Sequence, residues 1–310
     1  MECYDVIIIG GGSAGCVLAG ELARHTDQKI LLLESGPQAE DHPETFTVEG
    51  YKKAFLNDEL MWERFSTPQP HAGKQRVFMG TGGVLGGSGA VNGMVYTRGD
   101  RRDYDAWPEG WRWSDMLPAF EAIEKKIRPN KRDATPWTEA CTQAARQVGF
   151  RHSEDLNDGE LSNVVGREWM NFEGEHRRNS YLAFLREPGV PDNLTIVSDA
   201  CVSRIVFDRD RNASGVQYMV GDARREASAS REVVLCAGAL ETPKLLMLSG
   251  VGPEEQLRRF DIPPVWVQPQ VGQNLHDHPN VPVFIRAEAE VDAFFPQLYS
   301  FFRTLPEADL

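Results

Sequence analysis

Residues 4–15 read YDVIIIGGGSAG, and the fold is decided there. Residues 4–9 form an apolar run rich in β-branched side chains, short enough to be a strand buried on both faces. The run passes directly into Gly10, Gly12 and Gly15 at the spacing G-x-G-x-x-G. The first glycine permits a tight turn, the second lets a pyrophosphate approach the backbone, and the third lets the next helix pack closely on the strand. Ala14, Val17, Leu18 and Leu22 follow at the spacing of one helical face. The start of that helix offers free N–H groups and the positive end of a dipole to phosphates. Residues 29–34, KILLLE, read as a second buried strand ending on an acid. Glu34 stands where a carboxylate accepts hydrogen bonds from a ribose diol and repels a 2′-phosphate. Strand, glycines, helix, strand and acid in this order spell a dinucleotide-binding βαβ unit. The motif by itself does not separate FAD from NAD.

A second stretch bears on the same ligand. Gly80, Gly82, Gly83, Gly86, Gly87 and Gly89 crowd together, with Asn92-Gly93 just beyond. A packed core has no use for so many glycines, because each costs backbone entropy on folding. A backbone lying close against a flat, polar ligand does, and the flanking Val84, Leu85, Met94, Val95 and Tyr96 argue against a flexible linker.

Between and beyond these stretches the elements are plainer. Residues 37–65 lack clean periodicity and read as an irregular excursion. Residues 114–126 read as a helix with Ser114 as N-cap and Leu117, Phe120 and Ile123 on one side. Thr135-Pro136 opens another helix that ends at Gly149, with Trp137, Ala140, Cys141, Ala144 and Val148 as its apolar stripe. Residues 151–176 read as loop, and residues 180–185 as a short helix. From Asn193 onward four strands follow (residues 194–197, 201–207, 215–220 and 226–236), separated by short polar turns as in an antiparallel meander. Thr242-Pro243 then caps a helix closing on Gly250.

The 310 residues carry 46 acids against 33 bases, a net charge of −13. This balance argues against a nucleic-acid partner and against docking on anionic membranes. No apolar run approaches the ~18 residues of a membrane span, and no leader is expected before a strand that begins at Tyr4. Cys3, Cys16, Cys141, Cys201 and Cys236 are odd in number and form no C-x-x-C pair, which suits buried thiols in a reducing, cytoplasmic setting. His276-Asp277-His278 is an incomplete ligand set for zinc, and no metal is expected.

Three stretches together resemble the glucose–methanol–choline (GMC) family of FAD-dependent oxidoreductases. They are residues 4–23, residues 82–99 (GGVLGGSGAVNGMVYTRG) and residues 237–253 (AGALETPKLLMLSGVGP). The connecting pieces RRDYDAW, RRNSYLAFL and VGQNLHDH agree, so the resemblance runs from Tyr4 to His278. It implies an α/β fold: a Rossmann-like FAD-binding domain with a parallel sheet and an antiparallel β-meander, followed by the start of a substrate domain. The boundaries so drawn are 1–280, with the excursion 37–70 and an insertion 100–190, and then 281–310.

The resemblance also implies a cofactor and its contacts. FAD would meet Gly10, Gly12, Ser13, Ala14 and Gly15 at the pyrophosphate, and Glu34 with Ser35 at the adenosine ribose. Val202 would hold the adenine edge. Gly87, Ser88, Asn92, Gly93, Met94 and Val95 would run along the flavin, with Ala237 and Gly238 completing the site. Val91 stands where some members carry a flavin-attaching histidine, so non-covalent FAD is expected. Two departures concern the phosphates: Thr81 and Gly83 stand where basic residues are usual, and Ser88-Gly89 replaces a serine pair. The family's catalytic pair, a histidine with a second histidine or asparagine, is expected beyond this chain, and no catalytic residue is assigned within it. Three readings stand at this point. The chain is the FAD-binding part of an alcohol oxidoreductase, its other half supplied by a second chain or lost by truncation; or part of a flavin-bearing lyase or photodecarboxylase; or a non-enzymatic FAD-binding remnant.

Overall fold

The computed structural model describes residues 2–278, 280–286, 288, 291 and 298–302. The chain divides into two compact units, Met1–Asn92 with Asn179–Pro279 and Gly93–Arg178 with Asn280–Leu310.

The first unit is built on a six-stranded sheet. Its strands are β1 (Glu2–Ile9), β2 (Ile30–Leu33), β3 (Leu194–Val197), β4 (Ala200–Phe207), β5 (Ala213–Val220) and β6 (Ala223–Leu235), in the spatial order β3-β2-β1-β6-β5-β4. The four strands β3, β2, β1 and β6 run parallel, with Ile9 opposite both Leu33 and Leu235. β6, β5 and β4 form the antiparallel meander. Residues 194–197 are therefore not part of that meander. They pair with β2, because Asn193 Nδ2 donates to the carbonyls of Ala23, Thr26 and Gln28 and fastens β3 to the end of the first crossover.

Both faces of β1 and β2 are buried, as a parallel sheet covered on two sides requires. On one face Val6, Ile8, Ile30 and Leu32 pack with Cys16, Ala19 and Ala23 of helix α1 (Ser13–His25). On the other, Ile7, Ile9, Leu31 and Leu33 cluster with Ile205, Val216, Tyr218 and with Leu245 of helix α2 (Gly238–Leu248). Each such aliphatic side chain contributes roughly 1.5–3 kcal/mol when fully buried.

Two expectations about these helices are corrected. The fully buried face of α1 is Gly15, Cys16, Ala19, Gly20 and Ala23, with Ala14 exposed and Val17, Leu18 and Leu22 half-buried. Small residues win because neighbouring backbone comes too close for larger ones: a Cβ on Gly20 would lie 2.7 Å from the Phe184 carbonyl oxygen. Helix α2 starts at Gly238, directly after β6, and Pro243 lies inside it rather than at its cap. As the sixth residue of the helix Pro243 lies past the four N–H groups without an intrahelical partner, so it forfeits one bond of the ladder.

The second unit has helices at Arg101–Asp105, Trp113–Ile127 and Pro136–Gln147. The N-cap of the middle one is Arg112, not Ser114, and its N–H donates to the Asp115 carboxylate at 3.1 Å. In the helix Pro136–Gln147 the expected stripe is mostly outside: Trp137, Ala140, Ala144 and Val148 are exposed. Thr138, Cys141, Thr142 and Ala145 face inward instead, an equally regular i, i+3, i+4, i+7 set. Thr138 decides between the two stripes, since its hydroxyl both accepts from Thr135 N and donates to Thr135 O. Residues 151–176, read as loop, contribute short strands. Val164–Arg167 pairs with Arg151–His152 and with Leu298–Phe301, and Trp169–Met170 pairs with Val95–Tyr96. Most of residues 281–310 lie outside the described residues.

Candidate cofactor site

The parallel strands β1, β2 and β6 end side by side at Ile9, Leu33 and Leu235. Such a carboxyl edge is where ligands bind in open α/β sheets. A cleft of about 570 Å³ opens there. Gly10 turns the chain off β1 at φ +103°, and a Cβ on it would overlap the Cys236 carbonyl. Gly12 is the N-cap of α1 and makes no side-chain cap, so the first N–H groups of the helix are not covered by a capping side chain. A Cβ on Gly15 would overlap the Gly10 carbonyl oxygen, so this glycine sets the distance between α1 and the loop. Among the described residues, a Cβ built on Gly12 would come no nearer to the packed wall than Gly87 Cα, at 3.8 Å.

The glycine-rich segment closes onto this loop. Gly86 N donates to Gly11 O at 2.7 Å, and Gly87, at φ +58°, would carry its Cβ 2.6 Å from Gly12 Cα. Gly82 N donates to Ser88 Oγ at 3.1 Å. Glu34 sits at the other side, 5 % exposed. Its carboxylate accepts from Gly11 N at 2.7 Å and Gly36 N at 2.8 Å. Burial pushes its pKa up, and these backbone N–H groups oppose the shift. Ser35 Oγ also donates to Oε1 at 3.3 Å, so of about four acceptor positions on the carboxylate one stays available to a diol. Burial likewise raises the thiol pKa of Cys16, which donates to Gly11 O, and of Cys236. Neither is a ready thiolate.

Of the residues singled out from sequence, Gly10, Gly12, Ser13, Ala14, Glu34, Ser35, Gly87, Ser88, Val202, Ala237 and Gly238 line this one cleft. Gly15 is buried beneath it. Asn92 is outside the lining, exposed, its N–H bonded to Ser88 O at the end of a short helix. Gly93, Met94 and Val95 belong to the second unit, where buried Met94 holds φ +66° and its carbonyl accepts from Asn171 N. Sequence reading missed Trp62, Arg64, Cys201, Glu241 and Thr242, which also line the cleft. Trp62 and Arg64 come from the stretch without periodicity, so no pattern marked them.

A parallel sheet whose carboxyl edge meets an uncapped helix start, a glycine-lined wall and a buried acid defines a Rossmann-type dinucleotide-binding protein. The family model described as GMC oxidoreductase matches residues 4–280, and the chain belongs to that family. It is 37 % identical over 296 residues to oxygen-dependent choline dehydrogenase of Burkholderia cenocepacia (strain HI2424), covering 89 % of this chain and 52 % of the relative. Among solved structures, pyridoxine 4-oxidase from Mesorbium loti superposes with a TM-score of 0.79 at 26 % identity, over 86 % of this chain and 55 % of that one. A FAD-dependent oxidoreductase from Chaetomium thermophilum gives 0.79 at 29 % identity, over 88 % and 52 %. The chain thus spans about half the length of the proteins it matches. Among the described residues no helix is long and apolar enough to cross a membrane.

Proposed function

We propose that this chain is the FAD-holding part of an oxidoreductase acting on the CH–OH group of a small alcohol. One observation carries the reading: the uncapped start of α1, the Gly87–Ser88 wall, Glu34 and Val202 meet in a single cleft at the carboxyl edge of the sheet. The donor set suits FAD. Backbone N–H groups at Gly12 and Ser13 would hold the pyrophosphate, Glu34 and Ser35 the ribose, and the backbone of Val202 the adenine. Ser88, Ala237 and Gly238, which line the same cleft, would lie toward the flavin. Val91 is a buried hydrocarbon, 4 % exposed, with no atom to form a flavin bond, which supports non-covalent FAD.

A bound flavin would supply the redox chemistry, as acceptor of the hydride from the alcohol carbon, and a base would be needed for the hydroxyl proton. The residues lining the cleft would orient and desolvate the cofactor. None that lines the described cleft is assigned as that base: Glu34 is engaged by backbone N–H groups and Glu241 by Arg64. The alcohol-oxidising step therefore involves the part of the family's length that lies outside this chain, on a longer chain or a second one. The relatives' names point to small alcohols such as choline or pyridoxine. Of the five thiols only Cys16 is buried, and Cys3 and Cys201 are exposed, which corrects the expectation of buried thiols; exposed free thiols fit a reducing, cytoplasmic location.

The test is the visible spectrum of the purified, desalted 310-residue chain, followed by acid precipitation. Flavin bands at near-stoichiometric amount, with the flavin released into the supernatant, are expected. A colourless protein that leaves added FAD fluorescence unchanged would overturn the proposal.

A further inference from the structure

Among the described residues that line the cleft, one side chain is a permanent cation, and it lies outside the glycine motifs: Arg64. Three contacts fix its guanidinium. It stacks 4.5 Å from the centre of the Trp62 ring, Nη1 donates to Thr81 Oγ1 at 2.6 Å, and Nη2 pairs with Glu241 Oε1 at 2.7 Å. The Trp62 indole is itself seated over Gly83, where any Cβ would overlap it. The cation is also tied to the wall that carries the phosphate-side loop. Thr81 precedes Gly82, a Cβ on Gly82 would lie 2.6 Å from the Gly87 carbonyl oxygen, and Gly87 rests on Gly12.

The charge balance gives this arrangement its meaning. The acids lining the cleft are Glu34 and Glu241, against the single cation Arg64. A pyrophosphate brings further negative charge, and helix starts supply only partial positive charge against it. A planar guanidinium with five donors is the side chain best matched to phosphate oxygens, and one already held in place loses little entropy on binding. Glu241 has a second partner, Lys244, whose Nζ lies 2.9 Å from Oε2. If Arg64 turns from Glu241 to a phosphate, the carboxylate keeps a cation and Arg64 keeps Thr81 and Trp62.

We propose that Arg64 is the phosphate-binding cation of this cleft, with Glu241 holding its place until a dinucleotide pyrophosphate takes over as its partner. The inference rests on the FAD-binding reading above. It assigns Arg64 the positive charge that Thr81 and Gly83 do not provide.

The competing account is a purely structural ion pair clamping the Trp62 segment to α2. FAD titrations of the full chain and of the R64Q and E241Q variants separate the two. If Arg64 binds phosphate, R64Q weakens FAD by about 10- to 100-fold, as for other hydrogen bonds to a charged group. E241Q then leaves FAD as tight as before or tighter, because a competitor for the guanidinium is gone. The same pattern is expected for ADP, with adenosine unaffected. A structural clamp makes both variants weaken FAD in parallel, which would overturn the proposal, as would an R64Q variant within twofold of the parent. Should R64Q fail to fold, E241Q still decides, since loss of FAD affinity there contradicts the exchange. A parent chain that binds no FAD removes the underlying reading as well, whereas a parent that binds FAD regardless of Arg64 refutes this inference alone.

Discussion

Gly15→Ala and Gly12→Ala should separate the architecture of the glycine loop from its work on the cofactor. In an ordinary helix, glycine to alanine gains about 1 kcal/mol. At Gly15 the new Cβ would overlap the Gly10 carbonyl oxygen and approach Cys236 Cβ to 3.4 Å. The Gly10 backbone cannot easily yield, because its N–H is bonded to Leu33 O at 2.8 Å. Relief must come from α1 moving off the sheet, which loosens Cys16 and Ala19 against Ile8 and Leu32. Overpacking of this kind costs about 1–3 kcal/mol, so after the propensity gain a net loss of up to about 2 kcal/mol is expected. At Gly12, φ is −77° and the nearest atom to a new Cβ is 3.8 Å away, so stability should stay within about 0.5 kcal/mol. The new methyl would nonetheless occupy the cleft where the pyrophosphate approaches the backbone, and FAD affinity should fall by about tenfold or more. Urea unfolding of the FAD-free chains gives the first quantity and fluorescence titration the second. A Gly15→Ala chain as stable as the parent would refute the packing argument. A Gly12→Ala chain that binds FAD normally would refute the close approach.

Three further outcomes are expected. Glu168 is 3 % exposed with neither carboxylate oxygen hydrogen-bonded, and burial pushes its pKa from 4.5 up to about 7. Because the folded value is the higher one, stability is greatest below about pH 4.5 and is lost as pH rises toward about 7. Glu168→Gln should remove that slope and raise stability at pH 8 by about 1–3 kcal/mol, read from urea midpoints across pH; an unchanged slope would contradict the assignment. Asp100 caps the helix Arg101–Asp105 through Arg102 N, also accepts from Leu161 N, and is held down to about 2 chiefly by the Arg102 guanidinium. Its contribution is present above about pH 3.8 and is lost as pH falls through about 2, so Asp100→Asn should cost about 1 kcal/mol at pH 6 and little near pH 2. Ser249 is fully buried and its hydroxyl accepts from Ile205 N at 2.9 Å on the last strand of the sheet. Ser249→Ala strands that N–H and should cost about 1–3 kcal/mol in the same unfolding assay, with no change there speaking against a dry contact.

What the sequence discloses about this protein follows the range of the interaction that encodes it. β1, the Gly10–Gly12 turn, α1 and β2 are legible because each is specified by a local rule: a buried β-branched run, a glycine spacing, a helical start, an acid at a strand end. Partner choice is not local. Nothing in the apolar run 194–197 distinguishes a meander strand from a parallel neighbour of β2, and the choice is made by Asn193 reaching three carbonyls at the end of the α1–β2 connection. The helix Pro136–Gln147 shows the same limit within one element. Two stripes have valid helical spacing, and the inward one is selected by a threonine hydroxyl closing the cap.

The cofactor cleft divides along the same line. Its glycines and Glu34 are visible from spacing, yet the fact that Glu34 already accepts from Gly11 and Gly36 is not, because those donors are set by how the two loops meet. Trp62 and Arg64 are further from view. They arrive through backbone bonds from Gly83 N to Leu60 O and from Met79 N to Arg64 O, which fold an aperiodic excursion back over the glycine-rich wall. A sequence scan finds Thr81 and Gly83 lacking the expected basic side chains and stops there. The structure brings a guanidinium to Thr81 from seventeen residues away in the chain. The position of a cation at this wall is thus fixed by tertiary contacts rather than by the motif.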